Sequence, residues 1–483
     1  MKNPAFFGRI TRYVKLSRIG RNQMRRTPYF YLVLFISKLV RFLLLKLGRN
    51  ATNLPGELAI WLCKSFIGRM PKPKKVICIT GTNGKTTVCN LIEDVLEKTG
   101  ADFYCNRNGS NVYSGVASLL LANSDWRGRP TKDLAVFELD ERSSNLILPY
   151  MRPDLMLCTN IFRDSYKRNA HPEFIWDFLN KYIPDGVPMV LNADDMMCSE
   201  LKPGNPRAYF SIARQPADGE GPRNIVQDVP ACPRCGGELS WDFRRYHHIG
   251  RARCKDCGFS SPEADYTVTQ LSETDMQVNI RGESCTFPLA NNSYINVYNS
   301  LAAIALLCEH GIEPGTIAEA LGSIGISATR YMEEEVNGRK AILHLAKGQN
   351  PVACSRAFQN IRDYPGKKAA ILFLDDFFDA QHTVENISWL YDADFEFLAD
   401  DSVVQLIVAG ARHWDVYLRL LLAGVPAERI DHMPDTSGAA KALRAAEPDA
   451  VFILYDVYTI KLAENTEKLV KELLEKEAAK NAD

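Results

Sequence analysis

The chain lacks net charge: its 58 basic residues are matched by 58 acidic ones over 483 positions. That balance argues against a nucleic-acid binder working through bulk positive charge. The balance is not local, because no acid precedes Glu57 while the first fifty residues hold twelve Lys or Arg. No internal repeat is visible, and the N-terminus has no small-residue cleavage site of the kind a secretory signal needs. The one long apolar run near the N-terminus, Tyr29 to Leu47, carries Lys38, Arg41 and Lys46, three charges that a membrane-spanning helix rarely tolerates. Two readings of this basic, apolar segment fit best, a helix lying on an anionic membrane surface or a helix packed on its own protein; a transit peptide fits less well, because the apolar run is too strong. Ser143 and Ser144 have no paired His and acid in the sequence, which excludes a serine nucleophile. Four of the thirteen cysteines form CxxC pairs, and the rest are scattered, mostly in apolar runs (Cys78, Cys158, Cys308). That pattern predicts reduced thiols and a cytoplasmic protein, with the inner face of the plasma membrane as the place the basic segment would take it.

What is present centres on residues 75–87. Lys75 to Thr80 is a β-branched run that predicts a buried strand. Gly81-Thr82-Asn83-Gly84 is a tight polar turn, and from Thr86 a helix opens with Val88, Leu91, Ile92, Val95 and Leu96 on one face. Strand, glycine loop and helix N-terminus together hold phosphate. Lys85 would reach the terminal phosphates and the Thr86 hydroxyl would ligate Mg2+, with Thr87 beside it. The full phosphate-loop pattern wants a glycine at position 79, where this chain has Ile79, so the loop is a shortened variant.

Beyond Pro55 strand candidates (76–80, 134–139, 155–159, 189–192) alternate with helical segments, the rhythm of a parallel α/β sheet. Residues 203–223 read as loop. Short strands at 266–271 and 276–280 precede a helix over 297–309, and a third region holds strands at 369–374, 404–409 and 451–455. The expected organisation is a basic amphipathic segment (1–54), an ATP-binding central domain (55–326) with an insertion at 228–262, and a C-terminal Rossmann-like α/β domain (327–483). The charged tail, 461–480, reads as a solvated helix.

Within the insertion, Cys232 and Cys235, then eighteen residues, then Cys254 and Cys257 form two knuckles able to complete a tetrahedron around Zn2+. Four protein ligands leave no open position, which makes the site structural. His247 and His248 are surplus to it and read as surface histidines. Five basic residues (Arg244, Arg245, Arg251, Arg253, Lys255) make the ribbon itself basic. Leu134 to Glu141 ends a strand in three carboxylates. Glu138 is the candidate Mg2+ ligand; strand alternation puts Asp140 on its side and Glu141 opposite.

These pieces together resemble the Mur ligase family of ATP-dependent amide-forming enzymes. The motifs carrying the resemblance are Gly81–Thr86, Glu138, Thr159-Asn160 with Arg163-Asp164, Asn192–Asp195, and Asn296–Asn299 followed by Ala302-Ala303. The four-Cys insertion, with Asn106–Asn111, His248–Gly250, His344–Lys347 and Ser388–Glu396, resembles the branch that serves as synthetase beside a GatD-like glutaminase and amidates the D-glutamate of the lipid II stem peptide in peptidoglycan synthesis. The resemblance implies a Mur ligase-like central domain with a parallel sheet, an inserted zinc ribbon, ATP and Mg2+ as cofactors, and activation of a carboxylate as an acyl phosphate. It implies that Asn296 reads the adenine and that Arg330 clamps phosphate from the C-terminal domain. Three positions depart from the pattern. Thr329 replaces a glycine before Arg330, Ser165 replaces a histidine, and Asn386 stands where the branch carries an aspartate. Glu385 is the neighbouring acid that could take over its role, with Asp375, Asp376 and Asp379 nearby. Two other functions fit less of the sequence: a ligase joining an amino acid to a glutamyl acceptor, and a zinc-ribbon nucleic-acid-binding ATPase.

Overall fold

The structure, a computed structural model, describes residues 24–107, 110–164, 171–324, 331–336, 338–346, 349–374, 386–456 and 458–482. Arg330, Glu385, the three acids at 375, 376 and 379, Ser165 and the basic residues before Met24 lie outside the described residues. The chain forms two compact units. One takes Met1–Phe162, Pro172–Pro222 and Asp228–Ile326; the other takes Arg163–His171, Arg223–Gln227 and Ser327–Asp483.

The first unit is built on a nine-stranded sheet. Its strands are β1 (Lys75–Thr80), β2 (Phe103–Cys105), β3 (Leu134–Glu138), β4 (Leu155–Cys158), β5 (Met189–Asn192), β6 (Arg207–Ile212), β9 (Tyr266–Leu271), β10 (Asp275–Ile280) and β11 (Glu283–Pro288). Their spatial order is β11-β10-β9-β6-β5-β4-β1-β3-β2. The pairs from β2 to β9 are parallel, and β10 and β11 add an antiparallel edge. Helices cover the parallel part, so its strands read as continuous apolar runs; Val76 to Ile79 are all fully buried. The chain leaves β1 for one side of the sheet and returns to the other, which puts the C-terminal end of β1 at the crossover where α/β sheets open a ligand crevice. Strand β6 corrects the reading of 203–223 as loop. Ala208, Phe210 and Ile212 alternate into the core, a period-two signal that the flanking Pro and Gly obscured.

Between β6 and β9 the insertion folds as a hairpin of β7 (Leu239–Tyr246) and β8 (Ile249–Cys254). Near the N-terminus, α1 (Pro28–Lys46) buries Phe30, Val33, Leu34 and Ser37 against its own unit, beside α2 (Leu54–Leu62). The phosphate-loop helix is α3 (Lys85–Lys98), which buries Val88, Ile92, Val95 and Leu96. Helix α4 (Tyr294–His310) packs beside α3.

The second unit carries a six-stranded sheet of β12 (Tyr331–Val336), β13 (Arg339–Leu345), β14 (Lys368–Phe373), β15 (Val403–Ala409), β16 (Ile430–Met433) and β17 (Ala450–Tyr455), in the order β12-β13-β17-β14-β15-β16. Only its β12–β13 pair is antiparallel. The tail forms α5 (Ile460–Ala482), and it is not a wholly solvated helix. Ala463, Val470 and Leu474, spaced to share one face, are buried against β13 and β17.

Candidate functional site

Three neighbouring strands end together at the glycine loop. Parallel register sets Ile79 of β1 beside Glu138 of β3, and Thr80 of β1 beside Cys158 of β4. Glu138 therefore flanks the loop on one side, and Thr159-Asn160 flank it on the other. Gly81 and Gly84 adopt φ of +120° and +84°, a region open to glycine. A Cβ on Gly84 would stand 2.2 Å from Asn299 Oδ1, and one on Gly81 2.2 Å from Thr159 Oγ1. The loop is thus packed from above and below with no room for a side chain.

Its conformation is fixed by hydrogen bonds from the β4 end. Thr159 Oγ1 donates to Asn83 O at 2.7 Å, and Asn160 Nδ2 donates to the same oxygen at 3.0 Å. Asn160 Oδ1 accepts from Asn83 N at 2.9 Å, Thr82 N donates to Asn160 O at 2.9 Å, and Thr82 Oγ1 accepts from Phe162 N at 3.0 Å. The Thr-Asn motif is thereby a clamp on the loop.

Lys85, at the start of α3, donates to Gly81 O and to Glu141 Oε1, the latter at 2.8 Å; the Lys85 and Glu141 side chains are 13% and 8% exposed. Burial works against the Lys85 charge, but the Glu141 carboxylate, helped by Glu138 and Asp140, holds its pKa above the ordinary lysine range. This corrects the placement of Glu141 opposite the site. Strand β3 stops at Glu138, so alternation no longer governs Leu139 and Asp140, and the 3-10 turn Glu141–Ser143 swings Glu141 back toward the lysine. Glu138 itself is half-buried. Its Oε1 accepts from Asn111 Nδ2 at 2.9 Å, and Asn106 bonds both its backbone N–H (2.8 Å) and its carbonyl (2.9 Å). The 106–111 stretch stood out in the sequence as a resemblance without a role; here it aims Glu138. Thr86 is exposed at the helix N-terminus and Asn296 is half-buried in the first turn of α4.

The four cysteines come together as the spacing predicts. Their sulfurs all lie within 4.8 Å of one another, with Cys232–Cys257 at 3.6 Å and Cys235–Cys254 at 3.5 Å. A tetrahedron of Zn–S bonds about 2.3 Å long sets sulfurs about 3.8 Å apart, so the donor set fits zinc in spacing and softness. Gly237 N and Asp256 N point at Cys235 Sγ (3.4 Å) and Cys254 Sγ (3.3 Å), and Gly236 and Gly258 take the positive φ each knuckle needs.

The ribbon is also tied into the first unit, against the reading of His247 and His248 as surface residues. Both are fully buried, because the hairpin tip is tucked into the protein. The His248 ring lies 4.5 Å from that of Phe162, and its Nε2 is 3.4 Å from Asp195 Oδ1, while Asp195 Oδ2 accepts from Ile161 N at 2.7 Å. Arg245, also read as part of a basic ribbon face, has a side chain with no exposure. It donates to Asp218 Oδ2 at 2.7 Å and to the Tyr298 hydroxyl, which in turn donates to Asp194 Oδ2 at 2.7 Å. Asp194 and Tyr298, from two of the quoted motifs, thus join the sheet, α4 and the ribbon, a network that no local sequence pattern announces. Arg251 is half-buried and pairs with Glu263 at 3.0 Å, leaving Arg253 and Lys255 as the exposed cations.

In the second unit, Asn386 is exposed and its Oδ1 accepts from Ser388 N at 2.9 Å, a turn ahead of the short helix Trp389–Asp392.

Comparison with known proteins agrees with this geometry. The Mur ligase middle domain family matches residues 79–210, and the MurT ligase C-terminal family matches residues 347–460. The chain is 30% identical over 395 residues to the lipid II isoglutaminyl synthase (glutamine-hydrolyzing) subunit MurT of Staphylococcus aureus strain COL, covering 81% of this chain and 87% of that one. It is 30% identical over 417 residues to the subunit of the same name from Streptococcus pneumoniae R6, covering 84% and 89%. Among solved structures, a pseudomurein peptide ligase type C from Methanothermus fervidus shares the fold with a TM-score of 0.61 at 18% identity, over 85% of this chain and 81% of that one. The MurF ligase of Thermotoga maritima, solved in complex with ADP, does so with a TM-score of 0.56 at 14% identity, over 88% and 85%. The phosphate loop, its carboxylate flank, the ribbon and the C-terminal sheet are therefore the parts of one enzyme type, and the chain belongs to the MurT branch of the Mur ligase family.

Proposed function

We propose that this protein is a synthetase subunit that uses ATP to amidate the D-glutamate carboxylate of the lipid II stem peptide, with ammonia delivered by a GatD-like glutaminase. The observation that carries the reading is the Lys85 cradle: a half-buried ammonium 2.8 Å from the buried Glu141, at the strand ends where Glu138 and Thr159-Asn160 flank the glycine loop. In the first step a carboxylate oxygen attacks the γ-phosphorus of ATP, the bond to ADP breaks, and an acyl phosphate forms. In the second, ammonia attacks the acyl carbon, the C–O bond to phosphate breaks, and the nitrogen loses a proton to leave the amide. The difficulty of the first step is charge, since an anion must approach an anion. Backbone N–H groups of Gly84–Thr87, at the N-terminus of α3, and the Lys85 ammonium would meet that charge. Thr86 and Glu138 are the residues suited to hold Mg2+, which supplies further charge neutralisation when bound. Asn296 is assigned to the adenine and Arg330 to the transferring phosphate, where a guanidinium fork suits two oxygens. Cys232, Cys235, Cys254 and Cys257 are assigned to a structural zinc. The use of ATP and of a lipid-linked substrate in this reading supports a reaction in the cytoplasm, at the inner face of the plasma membrane.

Glutaminase coupling has an open position at Asn386, which is neutral where the branch carries an acid. The reading here is that Glu385 provides the missing carboxylate. One experiment addresses both points: mass spectrometry of lipid II after incubation with ATP, Mg2+ and either ammonium, or glutamine with the glutaminase partner. The expected product is lighter by about one mass unit, as OH becomes NH2. Glu385→Gln should lose the glutamine-driven product and keep the ammonium-driven one. No product from folded protein with ammonium overturns the function, and equal activity of Glu385→Gln in both arms discards Glu385.

A further inference from the structure

Helix α1 is apolar on two opposite faces, and the described residues cover only one of them. Phe30, Val33, Leu34 and Ser37 are buried against the first unit, and Lys38 Nζ donates to Leu121 O at 2.8 Å and Ser124 O at 2.7 Å, stapling the helix down. On the other side Leu32, Phe35, Leu39, Phe42 and Leu43, at spacings of 3, 4, 3 and 1, are each between 42% and 54% exposed. Such a stripe has no solvent-side rationale, since exposed helix faces are normally polar. Trp126 extends it, 64% exposed, its ring centroid 5.9 Å from that of Phe35. An indole beside an apolar stripe suits a boundary that is greasy on one side and wet on the other.

We propose that this outward face of α1 docks the protein on an anionic lipid bilayer, with the helix lying in the interface. Charge selects the occupant. Arg41 is half-buried, Lys46 and Arg49 are exposed at the end of the stripe, and no acid precedes Glu57 in the sequence. Anionic headgroups complement that set, whereas a second copy of the chain laid on the same stripe would set cation against cation. The helix is long and apolar enough by length and composition to cross a membrane. Crossing, however, would strip Phe30, Val33 and Leu34 from their packing and Lys38 from both of its carbonyls. Apolar insertion and electrostatic attraction then act together, the two signals a stable peripheral contact requires.

The test uses the full chain and sucrose-loaded vesicles without any peptidoglycan precursor, so its outcome is independent of the proposed reaction. Wild-type protein should sediment with phosphatidylcholine vesicles containing phosphatidylglycerol and poorly with phosphatidylcholine alone. Leu39→Glu/Phe42→Glu should reduce partitioning about tenfold or more, with an unchanged thermal midpoint because both side chains are solvent-facing. Arg41→Glu/Lys46→Glu/Arg49→Glu should abolish the preference for anionic lipid. The proposal is overturned if wild type ignores anionic vesicles, if the Leu39/Phe42 variant binds as wild type does, or if bound protein resists alkaline extraction as a spanning helix would. A wild-type dimer dissociated by the Leu39/Phe42 changes, without vesicle binding, overturns it equally.

Discussion

Lys85→Ala is expected to lower amide formation by at least about a thousandfold, or about 4 kcal/mol of transition-state stabilisation. The reason is geometric. The Lys85 ammonium sits at the N-terminus of α3, inside the glycine loop, where the proposed reaction would move charge from the γ-phosphoryl group to ADP. The same substitution has a second consequence for stability. Glu141 is buried and would keep its charge without a partner, or take up a proton as its burial already favours. Breaking a buried ion pair by deleting one member costs about 3–5 kcal/mol. Lys85→Ala should therefore be less stable than wild type, and Lys85→Ala/Glu141→Gln should regain much of that stability while regaining no activity. The raised pKa of Lys85 adds a sign to the argument. Its contribution to stability is fully present below the ordinary lysine value and fades only as pH rises through the higher folded value, so the ammonium keeps its charge at neutral pH. Chemical denaturation and turnover, measured on both variants, separate the two effects. Persistent turnover in Lys85→Ala contradicts the assignment.

Metal removal should have the second-largest effect. The purified protein is expected to hold one zinc per chain, read by elemental analysis, and a thiol-directed release of that zinc should lower the thermal midpoint by about 10 °C. The size follows from what the ribbon holds. Its tip carries Arg245, His247 and His248 into the interior, and Arg245 neutralises Asp218 and lies 3.6 Å from Asp194. Loss of the knuckles at 232–235 and 254–257 frees the two strands that place this tip. A link to the nucleotide loop follows, because the His248 ring packs on Phe162, whose backbone bonds the Thr82 hydroxyl. ATP affinity, measured by calorimetry, should fall with the metal. Protein free of zinc, with Cys235→Ala and Cys254→Ala melting as wild type does, would contradict this.

The parts of the site that a local pattern dictates were legible in the sequence. A strand, two glycines, a lysine and a helical stripe read directly as Lys75–Lys98, and the spacing of Cys232, Cys235, Cys254 and Cys257 read directly as one cluster. Glu138 was legible because it ends a strand. Contacts made across the fold were not. Glu141 reaches Lys85 only because the chain leaves its strand two residues earlier, which period-two alternation does not anticipate. Asn106 and Asn111 meet Glu138 through the pairing of β2 with β3. Arg245 and His248 look like solvated residues in any window, and their burial depends on where a hairpin of this length ends. Helix α1 shows the same limit from the other side. Packing on its own protein and lying on a membrane surface could not be separated by composition; the structure packs one face of the helix and leaves the other exposed.

The central claim is that this chain activates a carboxylate by phosphoryl transfer in the Lys85 cradle, and oxygen-18 tests it most directly. Lipid II carrying oxygen-18 in the free carboxylate of its D-glutamate, turned over with ATP, Mg2+ and ammonium, should release phosphate bearing one labelled oxygen for each amide made. Amide formed alongside unlabelled phosphate would contradict the account.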